Sequence, residues 1–264
     1  MTDARSSPET MGFFTDETLC IGCKACEVAC KQWNQLPDDG LRFTGMSYDN
    51  TGALGASSWR HVAFVERAVA DGDGRRQMQW LMLSDVCKHC ERAGCLEACP
   101  TGSIIRTDYG SVYVQPDVCN GCGYCVSACP FGVVDRREDD GRAFKCTLCY
   151  DRLEGTLEPA CAKHCPTASI KFGPLEDLKK EAQARLAKLH ARGVKGARLY
   201  GADAKEQPGT GGLHAFFLLT SDPETYNLPP DPVVPTKRQG RSWAALGAAA
   251  LAMAAVAIGS ALRA

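Results

Sequence analysis

The spacing of hydrophobic positions changes several times along this chain, and each change marks a different kind of element. Two apolar runs, Trp59 to Val69 and Met78 to Leu83, flank the turn-rich Asp71-Gly72-Asp73-Gly74 and read as a long antiparallel hairpin. A shorter hairpin is expected where Ser103 to Arg106 and Ser111 to Val114 flank Asp108-Tyr109-Gly110. Ala168 to Phe172 has the same short, β-like character. From Leu175 to about Ala191 the period becomes helical. Leu175, Leu178, Ala182, Leu186 and Leu189 form one stripe with charges opposite, and Gly193 supplies a stop. A strand is expected at Leu213 to Thr220. The proline-rich stretch from Pro223 to Pro235 reads as an extended linker.

Trp243 to Leu262 is a run of twenty residues without a charge. As a helix rising 1.5 Å per residue it reaches about 30 Å, the thickness of a bilayer's hydrocarbon core. Half of the run is alanine, so it is weakly hydrophobic for a span, and a buried core helix is the competing reading. Lys237, Arg238 and Arg241 in front, with Trp243 at the boundary, favour a membrane interface. At the other end Met1 to Thr10 is polar and lacks the apolar stretch of a secretory signal.

The 264 residues carry a formal net charge of -1. No basic stripe with interleaved aromatics is present, so nucleic acid is not an expected partner. The sixteen cysteines change the picture. They fall in four blocks: Cys20, Cys23, Cys26, Cys30; Cys87, Cys90, Cys95, Cys99; Cys119, Cys122, Cys125, Cys129; and Cys146, Cys149, Cys161, Cys165. Blocks one and three have the regular C-x2-C-x2-C-x3-C spacing. Block two has four residues before its third cysteine, and block four has an eleven-residue excursion. Pro100, Pro130 and Pro166 follow the last cysteine of blocks two to four, whereas Lys31 follows block one.

Three cysteines at that interval wrap a tight loop around one face of a 4Fe-4S cubane. The fourth, followed by proline, ligates the other cluster in two-cluster ferredoxins. Zinc takes four ligands in a tetrahedron, usually as two C-x2-C pairs, so a third cysteine two residues on is redundant for it. The expected cofactors are therefore four 4Fe-4S clusters, with all sixteen cysteines as metal ligands and no catalytic residue. Lys24, Lys88, Lys145 and Lys163 lie in or beside the blocks and would offset the negative charge of filled sites, unless they are ordinary surface lysines. His89 and His164 also lie inside blocks and read either as hydrogen-bond partners of a cluster or, more simply, as solvent-facing loop residues. Because the fourth cysteine crosses over, blocks must pair. Only 19 residues separate blocks two and three, a compact two-cluster spacing, but spacing also permits one with two and three with four.

The order of the blocks resembles the iron-sulfur subunits of molybdopterin oxidoreductases, the family that includes dimethyl sulfoxide reductase, over residues 14 to 175. The run from Cys20 to Cys26 with Trp33-Asn34, the Tyr48-Asp49-Asn50 segment leading to Ser58-Trp59, the run from Lys145 to Cys149, and Gly211-Gly212-Leu213-His214 are similar to the β subunit of respiratory formate dehydrogenases, which carries one C-terminal membrane helix. That resemblance implies the nested pairing. Its ligand sets are Cys20, Cys23, Cys26 with Cys165; Cys146, Cys149, Cys161 with Cys30; Cys87, Cys90, Cys95 with Cys129; and Cys119, Cys122, Cys125 with Cys99.

The expected fold is α+β: two nested two-cluster ferredoxin-like units with a β-hairpin insertion and a C-terminal transmembrane helix. After a polar segment 1–13, residues 14–36 and 143–175 form the outer unit, 37–84 the hairpin insertion, and 85–142 the inner unit. A helix-and-strand extension (176–221), a proline-rich linker (222–241) and the membrane helix (242–264) follow. The implied partners are a catalytic subunit with a molybdenum or tungsten pterin centre that oxidises formate, a membrane cytochrome b subunit leading to quinone, and the lipid bilayer. A relay in a hydrogenase or a polysulfide, nitrite or sulfoxide reductase is the alternative, and a free ferredoxin-like carrier a more distant one. The positive charges before the terminal span would leave the bulk of the chain in the cytoplasm. The resemblance to exported formate dehydrogenases implies the outer face of the membrane, which is the expectation adopted.

Overall fold

In the computed structural model, which describes residues 9–40, 45, 48–70, 74 and 76–261, a chain poor in long elements is organised by one central sheet. In chain order the elements are β1 (Met11–Asp16), α1 (Ala25–Trp33), β2 (Arg60–Ala70), β3 (Arg76–Val86), α2 (Gly94–Glu97), β4 (Ile104–Arg106), β5 (Val112–Val114) and α3 (Tyr124–Ala128). They continue with β6 (Asp135–Arg136), β7 (Ala143–Phe144), α4 (Tyr150–Glu154), α5 (Ala160–Lys163), β8 (Ile170–Pro174), α6 (Leu175–Ala191), β9 (Arg198–Tyr200), β10 (Ala215–Leu219) and α7 (Gln239–Ala261).

The central sheet has the order β8-β1-β10-β9. β1 runs parallel to β10, with Phe14 opposite Phe216, and antiparallel to β8, with Phe13 opposite Phe172. Residues 11–13 are thus strand rather than polar tail, and Phe13 and Phe14 are each 1% exposed. Alternation along a strand sends neighbours to opposite faces. Phe14 stacks on Phe216, their centroids 5.3 Å apart, and joins the cluster formed by Leu175, Leu178, Ala182 and Leu189 of α6. Phe13 faces the other way, packing edge-on against Phe172 among Cys26, Cys30, Cys146 and Cys161. The sheet is therefore a wall with α6 on one side and cysteines on the other.

The hairpins at β2/β3 and β4/β5 pair as expected, from Arg60↔Val86 to Ala70↔Arg76 and from Ile104↔Val114 to Arg106↔Val112. Asp71, Gly72 and Asp73 of the long hairpin's turn lie outside the described residues. The base of that hairpin is core, with Val62 and Leu83 buried. α6 spans the range its hydrophobic stripe predicts. Ile170–Pro174 joins the central sheet instead of forming a hairpin of its own.

The proline-rich segment is not an extended linker. It turns through two short 3-10 helices, Pro223–Tyr226 and Pro235–Arg238. Tyr226, Leu228 and Val234 are buried, so apolar anchors between the prolines fasten it to the body. At the C-terminus α7 forms, with Trp243, Leu246, Leu251, Met253, Val256 and Ile258 exposed. Among the described residues, however, no helix is long and apolar enough to cross a membrane. The expected transmembrane helix is therefore present as a helix, with no span found among the described residues. Leu262 lies outside the described residues.

Candidate metal centre

The backbone of each cysteine block makes a sharp reversal at the same place. The residue before the second cysteine is left-handed in all four: Gly22 (φ 65°), His89 (φ 44°), Gly121 (φ 73°) and Leu148 (φ 62°). Glycine adopts this conformation freely. His89 and Leu148 adopt it against the usual steric preference. Such reversals turn successive N–H groups toward one point, a concavity suited to anionic iron-sulfur cores. A short helix then carries the third cysteine: Cys26 in α1, Cys95 in α2, Cys125 in α3 and Cys161 in α5. The fourth lies four residues on, about 6 Å further along a helical rise. α1 packs against α5, and α2 against α3, so block one meets block four and block two meets block three.

All sixteen cysteines are unbridged. Among the described residues no three metal-ligating side chains stand close enough to share a single ion; the thiols form looser groups of four. Cys20, Cys23, Cys26 and Cys165 line one small cavity. Burial raises the Cys20 thiol, and its neighbours Cys165 and Cys23 add to the rise. Cys30 is pushed well up, first by burial and then by Cys146, Cys161 and Cys149. Burial also raises Cys90, with Cys87, Cys129 and Cys95 adding. Cys125 is pushed up to about 11 by burial, with Cys119, Cys122 and Cys99 beside it. Each group takes three thiols from one block and the fourth from another.

The groups also stand in a row. Cys161 of the second adds to the raised pKa of Cys26 in the first, after burial and against the opposing charge of Arg60. Cys87 of the third does the same for Cys146 of the second, again after burial. Cys125 of the fourth bears on Cys95 of the third, where burial dominates and Lys145 opposes. The second group is buried throughout, whereas the first and fourth each expose one cysteine, Cys23 and Cys122.

Donors reach several of these thiols. The Leu148 and Ala143 amides donate to the Sγ atoms of Cys146 and Cys119, each at 3.4 Å. Asn34 Nδ2 reaches Cys30 Sγ at 3.6 Å and Arg60 reaches Cys161 Sγ at 3.3 Å. His89 is buried rather than solvent-facing. Its Nδ1 accepts from the Val112 amide at 3.0 Å, so its proton sits on Nε2, which has no partner among the described residues. A buried orphaned donor and a thiol shell rich in N–H groups fit an electron-rich cluster. His164 is exposed.

The four lysines divide. Lys88 and Lys145 are buried, at 1% and 2% exposure, whereas Lys163 is exposed. Lys24 is engaged by Asp49 at 3.0 Å. Burial works against the charge of Lys145, but the thiols of Cys87, Cys95, Cys146 and Cys129 raise its pKa above the ordinary value. Arg60, which the cysteine pattern does not reveal, holds the same position between the first and second groups.

Residues 19–103 and 78–175 each match a 4Fe-4S dicluster domain family. The nitrate-inducible formate dehydrogenase iron-sulfur subunit of Escherichia coli is 43% identical over 225 residues, covering 84% of this chain and 73% of the relative. The chain belongs to the formate dehydrogenase iron-sulfur subunits. The Haemophilus influenzae formate dehydrogenase iron-sulfur subunit is 42% identical over 236 residues, covering 88% of this chain and 72% of that one. A subunit of the anaerobic dimethyl sulfoxide reductase of Escherichia coli is 34% identical over 170 residues, 64% of this chain and 76% of the relative. As a member of this family, the iron-sulfur subunit carries four 4Fe-4S clusters and serves as an electron-transfer relay.

Proposed function

We propose that this iron-sulfur subunit relays electrons one at a time from a molybdenum- or tungsten-pterin subunit that oxidises formate to a membrane cytochrome b subunit and quinone. The proposed ligand sets are Cys20, Cys23, Cys26 with Cys165; Cys146, Cys149, Cys161 with Cys30; Cys87, Cys90, Cys95 with Cys129; and Cys119, Cys122, Cys125 with Cys99. The clusters supply the one-electron redox chemistry. This chain's own residues space the sites, exclude water and neutralise them: Arg60 and Lys145 lie between successive groups, where bound metal centres dominate local charge.

The observation that carries the reading is the row itself, with no exposed cysteine in its two middle groups and one at either end. Electrons enter and leave such a row at its ends. The Cys23 end faces the catalytic partner. The turn Pro235–Arg238, which leads into α7, packs on α2, so the block-two and block-three end faces the membrane. α7 anchors the subunit there, on the outer face, with Trp243 at the interface.

Purification from membranes in detergent, followed by addition of formate under anaerobic conditions, tests the assignment. A large pterin-containing chain is expected to accompany the subunit, and formate to reduce its clusters. Recovery of the chain without that partner, or clusters that respond to hydrogen or a sulfoxide couple and not to formate, overturns it.

A further inference from the structure

Arg60 opens β2 with its side chain 1% exposed, under the wall formed by the central sheet. Its guanidinium lies over the Phe13 ring, 4.9 Å from the centroid. One amino group donates to the Ser84 carbonyl at 3.2 Å and to Ser84 Oγ at 3.4 Å. Because Ser84 Oγ accepts there, its own proton is free for Cys26 Sγ, 3.3 Å away. The second amino group donates to Cys161 Sγ at 3.3 Å. A continuous chain of donors thus runs from Cys161 through the guanidinium and the serine hydroxyl to Cys26. Its two ends belong to different thiol groups. The thiols of Cys161, Cys26 and Cys146 are the charges that bear on Arg60 most strongly.

We propose that Arg60 is a positioning and tuning residue that acts on two adjacent clusters at once, directly through Cys161 and through Ser84 on Cys26. This rests on the reading of Cys26 and Cys161 as ligands of different clusters. A thiolate that accepts a hydrogen bond from a cation is stabilised more as negative charge accumulates, so both clusters sit at higher potential with Arg60 in place. The guanidinium is also shared. Arginine suits the task because its planar fork offers several donors in fixed geometry.

The test is a potentiometric titration of the intact complex, followed by electron paramagnetic resonance so that clusters are read separately. Cys26→Ser and Cys161→Ser first identify the two signals. Arg60→Met is expected to lower both of those midpoints, each by about tenfold in the reduction equilibrium, or about 59 mV for one electron. The signals of blocks two and three should stay in place. Arg60→Lys should recover most of the shift, because the charge remains. Ser84→Ala retains Arg60 and breaks only the indirect arm, so it should lower the block-one midpoint alone; it also keeps the proposal testable where Arg60→Met does not fold. Midpoints unmoved in Arg60→Met, equal shifts in all four clusters, or a Ser84→Ala effect on both clusters or on neither would each overturn the role of Arg60. Cys26→Ser and Cys161→Ser altering one and the same signal would instead overturn the ligand reading beneath it.

Discussion

Lys145 shows how strongly the filled sites shape individual residues. A lysine at 2% exposure needs a counter-charge, and what it has from neutral groups is the carbonyl of Cys146 at 3.0 Å and that of Val112. Thiols from two successive groups surround the rest of it. Lys145→Met should leave the metal-free chain no less stable, since it removes a buried charge. Against loaded clusters the same change uncovers negative charge, and breaking a buried pair costs about 3–5 kcal/mol. Iron and sulfide content after purification should therefore fall, with Lys145→Arg retaining more than Lys145→Met. Glu17 is the opposite case. Burial raises its carboxyl pKa, against a hydrogen bond donated by Thr220. A carboxyl raised on folding favours the protonated form, so its stabilising share is complete below the ordinary value near 4.5 and is lost as pH rises through the folded value. Glu17→Gln should remove the fall of the denaturation midpoint that begins above the ordinary carboxyl value, and raise the midpoint at higher pH. A midpoint profile parallel to that of the parent would count against this. The cysteines were legible from spacing because cluster geometry is local. The burial of His89 was not, since it depends on the Val112 amide 23 residues away.

At the scale of elements, what could be read from sequence was whatever repeats within its own length. The stripe from Leu175 to Ala191 and the two hairpins are local patterns and appear where they were expected. β1 is six residues long and has its parallel partner about 200 positions away, in β10. No local period reveals such a pairing. The proline-rich segment misled for a related reason: its composition suggests extension, but Leu228 and Val234 find pockets only once the body exists. The β1–β10 seam is also where a glycine is required. A Cβ on Gly12 would collide with the His214 carbonyl oxygen, the acceptor of the Phe13 amide at 2.7 Å. Backbone on both sides cannot yield cheaply, so Gly12→Ala should destabilise by about 1–3 kcal/mol. Gly240 is the contrast, with open space for 4 Å around the place a methyl group would take. Gly240→Ala in α7 should be neutral or stabilising by up to about 1 kcal/mol. Urea denaturation of the two variants side by side measures the difference.

For the whole molecule, the cysteine spacing admits both a nested and a sequential arrangement, and the two matched dicluster segments, 19–103 and 78–175, overlap in sequence and do not separate the two. What separates them is which helices meet. α1 packs on α5 and α2 on α3, because the central sheet brings the N-terminal β1 beside β8, which directly follows block four. The two ends of the cysteine-bearing region are thereby closed over its middle. This predicts the outcome of Cys165→Ser. Cys165 lines the same cavity as Cys20, Cys23 and Cys26, so replacing its thiolate by a hydroxyl should lose or alter the cluster that block one holds, one of the four. The signals that depend on Cys119, Cys122 and Cys125 should be unchanged. Under sequential pairing the same substitution damages the block-three cluster and spares block one. Magnetic resonance spectra of the reduced variant, with iron content measured on the same sample, distinguish the two. Loss of the block-three signal would show that the chain is two consecutive ferredoxins rather than one enclosed within another, and the lack of an exposed cysteine in the middle of the row would then need a different explanation.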